Sequence, residues 1–155
     1  MTWLLLPLAL ASGGLAAGGL MIASLGGAPL LERLPRDEYI PVHQFLVTRF
    51  DPFMPICMIT ATACDLALMF MVPGAVRIPL LVALATLLGA IYVSLVKNVP
   101  INRWVAGLDL EDLPEDWESV DPRVRWRNWN LLRTAFAVAA LAGNAVAASL
   151  VLGGV

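Results

Sequence analysis

The chain has 155 residues, 59% of them hydrophobic and only 14% charged, and its net charge is −2. With a mean hydropathy of +0.79, it is too apolar for an ordinary soluble domain and belongs with single-domain integral membrane proteins. It has no basic tract, which argues against nucleic acid as a partner.

Residues 1–31 carry no charged side chain, and the runs 52–76 (one charge, Asp65), 78–96 and 134–155 are similarly apolar. A spanning helix needs ~20 mostly apolar residues, and in lipid only helices satisfy the backbone of runs this long. The expectation is an all-α, four-helix transmembrane bundle with spans near 3–28, 53–72, 78–99 and 126–152. The first run lacks a basic start and exceeds the ~7–15 apolar residues of a signal core, so it reads as a span and not as a cleaved leader. Its small residues, Gly14 and Gly18 among them, suit close helix approach, within the bundle or between copies in a homo-oligomer.

The connection 29–51 is polar and holds the only histidine, His43. From Val42 to Phe50 it suits a short helix, lying at the interface or running on into the second span. Asp65 is then about twelve residues, or ~18 Å, into that span. A charged side chain at such depth costs ~2.5–3.5 kcal/mol or more. It should therefore face the bundle or carry a proton, in one polar layer with Thr86 and Asn144. Cys57 and Cys64 lie seven apart on the same helix, ~10 Å along its axis, too far for a disulfide. With no histidine near them in sequence they read as buried thiols, and no metal site is expected.

V-P-G at 72–74 makes a tight turn. The third span closes on N-V-P-I-N at 98–102, where Pro100 marks its end or a kink. Residues 103–125 include seven acids from Asp109 to Asp121 and read as a solvated segment with one amphipathic turn around Trp104 to Leu108. The last helix should start near Val124. On it Trp126, Asn130 and Arg133 fall at i, i+4 and i+7, on one face, with Trp129 next to Arg133. An aromatic belt with arginine anchors accounts for the tryptophans and Arg133 but not for Asn130. Asn98 and Asn102 can cap the carbonyl that Pro100 frees or belong to a site.

Basic residues gather in the two long connections (Arg33, Arg36, Arg49, Arg103, Arg123, Arg125, Arg127), against Arg77 alone in the short one. By the positive-inside rule both large loops lie on one face and are cytoplasmic, with both termini outside, in what is expected to be a bacterial inner membrane.

Taken together, N-V-P-I-N at 98–102 and W-R-N-W-N-L-L-R-T at 126–134, ahead of an Ala-rich last helix, resemble a family of small four-helix membrane proteins that includes the fungal and bacterial anthrone oxygenases. Y-I-P-V-H-Q-F at 39–45 and D-P-F-M-P at 51–55 fit the same plan. The resemblance places the family's polar signature on Asn98, Pro100, Asn102, Trp126, Trp129, Asn130, Arg133 and Thr134. It implies oxidation of an anthrone-type aromatic by dioxygen with no cofactor. His43 would act as base, and Arg133 with Asn98 or Asn130 would hold an oxyanion. Trp126 and Trp129 would stack the rings, with Asn102 also in the binding set. The competing reading is a non-enzymatic scaffold or accessory subunit that binds a lipid, a quinone or a protein partner.

Overall fold

The computed structural model describes residues 1–154, and these fold into helices α1 (Thr2–Ile22), α2 (Ala28–Arg33), α3 (Arg36–Phe50), α4 (Phe53–Met69), α5 (Gly74–Val93), α6 (Val99–Ala106), α7 (Trp117–Val120) and α8 (Arg123–Leu152). Two π-turns, Ala23–Gly27 and Ser94–Asn98, fuse α1 to α2 and α5 to α6. Four rods are long and apolar enough to cross a membrane: Thr2–Arg33, Arg36–Met69, Gly74–Ala106 and Trp117–Leu152. The helices thus outrun the apolar runs, and Pro100 does not end the third. A proline ring collides with the carbonyl four residues back and offers no N–H. The widened turn before it resolves both problems, because the bonds step to i−5: Val99 N–H to Ser94 O, and Ala28 N–H to Ala23 O ahead of Pro29.

α1 packs on α4 and α8, and α5 packs on α8 and α4, closing a ring of four. Leu6, Leu68, Val72, Val76, Leu80 and Ala147 form one cluster at the end that holds the α4–α5 turn and the termini of α1 and α8. Ala28, Leu31, Tyr39, Ile101, Val105, Trp117 and Trp126 form another at the opposite end. Both long connections therefore lie at one end of the bundle. Side chains such as Leu25, Ile56, Leu81, Leu88 and Val146 stay exposed around the outside, a surface suited to lipid, where helix contact depends on close packing. The closest approach to the backbone of a neighbouring helix is at Gly143, where a Cβ would sit 2.9 Å from the Pro79 carbonyl oxygen and 3.2 Å from Ala83 Cβ. Gly14 and Gly18 do not play this part within the chain. A Cβ on Gly18 would meet nothing within 4 Å, and one on Gly14 only the tip of Leu141.

The connections are more ordered than solvated loops. α3 starts at Arg36, packs on α6 and stops before Asp51. α6 continues through Trp104 to Ala106, and α7 buries Trp117 against Tyr39 (6.1 Å) and stacks it on Trp104 (6.1 Å, 21°). Arg123 donates from Nη1 to the carbonyls of Leu31 (3.4 Å) and Leu34 (2.6 Å), groups that a helix C-terminus leaves unpaired. Arg127 pairs with Glu32 at 2.8 Å. These ties fix the start of α8 to the end of α2.

Asp65 and Asn144 are both fully buried, and Asn144 Nδ2 donates to Asp65 Oδ2 at 3.2 Å. Thr86 does not join this layer, because its hydroxyl donates to Val82 O (2.8 Å) and Ala83 O (3.0 Å) of its own helix. A threonine can bond back one turn, so shared depth does not oblige it to find a partner, whereas a carboxyl group has no such option. Replacing Asn144 with Leu should cost ~1–3 kcal/mol by stranding the carboxyl group, while Asp65→Asn should fold with little loss. Thermal unfolding in detergent checks both.

Candidate functional site

The site is built on the face of α8 that carries Trp126, Asn130, Arg133 and Thr134. Asn130 is fully buried, and it joins the π-turn after α1 to Arg133: its Nδ2 donates to Ser24 Oγ at 2.7 Å, and its Oδ1 accepts from Arg133 Nε at 2.8 Å. Thr134 Oγ1 lies 2.7 Å from Ser24 Oγ. From the other side, Arg133 Nη1 donates to Ser94 Oγ at 3.3 Å. Ser24 and Ser94 each sit in one of the two π-turns, a widening that often marks functional positions. Neither serine was singled out from the sequence. A readable signal did exist, since each hydroxyl lies five or six residues ahead of a proline inside an apolar run.

The network holds Arg133 without neutralising it. Among the described residues its bonded partners are neutral oxygens, its Nη2 makes no hydrogen bond, and no carboxylate is within ion-pair distance. A guanidinium so placed favours an anion or a strongly polarised oxygen.

The second polar group is His43, 1% exposed and edge-on to Tyr39 (5.3 Å) and Trp126 (5.2 Å). Asn102 Oδ1 accepts from Trp126 Nε1 at 2.8 Å and lies 3.1 Å from His43 Nε2. Indole N–H can only donate, so the Asn102 atom is an oxygen and His43 Nε2 donates to it as well. In the neutral ring the lone pair is then on Nδ1, which is buried and has no protein partner. This is the protonation state a general base needs.

His43, Asn102, Trp126, Ser94 and Arg133 line one cavity of about 460 Å³, otherwise walled by apolar residues such as Leu20, Leu46, Met54, Met58, Ile91 and Val99, with Asp51 at its edge. Three of the expected contacts are not made directly. Asn98 donates from Nδ2 to Trp126 O (3.2 Å) behind the wall, and Asn130 supports Arg133 without lining the cavity. Trp129 lies outside, with the Lys97 ammonium 4.9 Å from its ring centre. Of the two tryptophans expected to stack a bound ring, only Trp126 lines the cavity, with Phe50 a further aromatic in its wall. Among the described residues no three His, Cys, Asp or Glu side chains come together, and Cys57 and Cys64 are buried free thiols.

Four apolar helices around a largely apolar cavity that one histidine and one arginine help to line define a compact integral membrane protein. The profile of the anthrone oxygenase family matches residues 45–143, and the chain belongs to that family. The match runs from α3 into α8 and includes Asn102, Trp126 and Arg133, while His43 lies just ahead of it. No curated protein and no solved structure matches the chain.

Proposed function

We propose that the chain oxidises an anthrone-type polycyclic phenol with dioxygen, without a cofactor. The observation that carries this reading is that His43, whose Nδ1 has no protein partner, and Arg133, which makes no salt bridge among the described residues, both line one largely apolar cavity. Trp126 and Arg133 are seven residues apart on α8, ~10 Å along its axis. A ring can sit between them with its carbonyl oxygen towards Arg133 and the acidic C–H of the same ring towards His43.

In this reading His43 Nδ1 takes the proton from the ring CH₂ group, and the electron pair moves into the carbonyl, whose oxygen becomes an oxyanion held by Arg133. The carbanion reduces dioxygen and forms a C–O bond to it. The peroxide anion takes the proton back from His43, and the resulting hydroperoxide loses water as its O–O bond and the remaining C–H bond break, so that the CH₂ carbon becomes the second quinone carbonyl. One dioxygen is consumed, with one oxygen atom retained in the quinone and one released as water. The test is addition of 1,8-dihydroxyanthrone to vesicles holding the purified chain, following dioxygen and quinone together. Equal molar uptake and formation, above protein-free vesicles, is the expected result; a rate no higher than the lipid blank rejects oxidation. In that case a stoichiometric protein partner retained on purification would favour the accessory-subunit reading.

The seven loop arginines cluster at the cavity end and Arg77 at the other, which supports placing that end in the cytoplasm of a bacterium. Single cysteines at Glu38 and Glu115, in a variant lacking Cys57 and Cys64, should react with an impermeant maleimide only after cells are opened, and one at Gly74 before. Labelling of position 74 from the same side as 38 and 115 overturns this topology.

A further inference from the structure

We infer that the ligand reaches Arg133 sideways from the hydrocarbon layer, past Ile59 of α4 and Leu95 of the π-turn that follows α5, and not through the loop face. The inference rests on the proposed reading in taking this cavity as the ligand site, and it does not require the oxidation.

The loop face is closed over the cavity by α3. Tyr39, Ile40 and His43 are at most 1% exposed, buried among Ile101, Val105, Trp117 and Trp126. Gln44 Nε2 stitches α3 down by donating to the carbonyls of Val105 (3.0 Å) and Leu108 (3.2 Å). The flank is different. Ile59 and Leu95 belong to the cavity wall yet are 62% and 63% exposed on the outside of the spanning rods, as is Ile22 of α1 at 69%. A residue that is both cavity wall and outer surface marks an opening, and at this position the surroundings are acyl chains. No charged side chain other than Asp51 and Arg133 lines the cavity. The route thus suits a flat, lipid-dissolved aromatic whose ionisable oxygen enters last and meets Arg133. Dioxygen also concentrates in hydrocarbon, so both reactants would arrive from the same phase.

The experiment follows binding alone. Reconstituted vesicles are mixed with 1,8-dihydroxyanthraquinone, and quenching of tryptophan emission gives association and dissociation rates. Ile59→Trp and Leu95→Trp should slow both rates on the order of tenfold, a modest added barrier, and change the two rates together by more than their ratio, because a gate acts on rates more than on end states. Ile59→Ala and Leu95→Ala should accelerate both. Gln44→Ala, which loosens the α3 cover, should change neither. The route is overturned if the rim variants bind at wild-type rates, or if Gln44→Ala binds faster. Wild-type vesicles that bind no probe overturn the route and the cavity site together. Displacement of the probe by anionic but not zwitterionic phospholipid would make a lipid phosphate the occupant and overturn the aromatic assignment. Rim-controlled binding without oxygen uptake rejects the oxidation and leaves the route standing.

Discussion

Arg133→Gln should lower anthrone-dependent oxygen uptake on the order of 10²–10³-fold, the usual loss when one donor to a developing oxyanion is removed. Protein yield in the membrane should stay the same. Glutamine keeps an amide N–H to bond with Asn130 Oδ1 or Ser94 Oγ, the present partners of the guanidinium. What it lacks is the charge, and in a cavity lined mainly by apolar side chains little else can stabilise a negative oxygen. Arg133→Lys should recover only part of the activity, since a point charge replaces a planar fork with donors in fixed directions. The measurement is oxygen uptake normalised to folded protein. If activity falls only in step with yield, Arg133 anchors α8 and has no part in catalysis.

The second large effect is expected at His43. His43→Gln should reduce turnover by ~10²–10⁴, the range over which a positioned general base contributes, with substrate affinity little changed. Glutamine can still donate to Asn102 but offers no basic nitrogen. Two further results separate chemistry from packing. Added imidazole should restore part of the activity of His43→Ala, whose lost ring leaves a space beside Tyr39 and Trp126. Asn102→Leu should impair turnover while His43 is intact, because the oxygen that holds the Nε2–H tautomer is gone. Failure of imidazole rescue, together with full activity in Asn102→Leu, would reject His43 as the base.

The sequence was most informative where one physical constraint dominates. Runs of ~20 apolar residues must close their own hydrogen bonds in lipid, and four such runs in 155 residues leave few arrangements besides an antiparallel bundle with its long connections at one end. The 3.6-residue period put Trp126, Asn130 and Arg133 on one face, and the cost of a carboxyl group at depth pointed Asp65 inward to Asn144. Each of these follows from the chain's own geometry and the solvent around it.

Tertiary structure decided what depends on a neighbour. Trp126 and Trp129 are three residues apart, ~60° around the helix, and only the position of α3 and α6 makes the first a cavity wall and leaves the second to Lys97. Thr86 matched Asp65 in depth but could satisfy its hydroxyl on its own carbonyls, so depth could not place it. Ser24 and Ser94 became partners of the Arg133 network because each lies in a π-turn ahead of a proline, on two rods that both pack against α8. Hydropathy registers the residues of such a turn but not the change in helical pitch that re-aims them. Whether the cavity opens to water or to lipid is likewise a matter of which helices leave a gap. That depends on side-chain volumes meeting across the bundle, which no single segment contains.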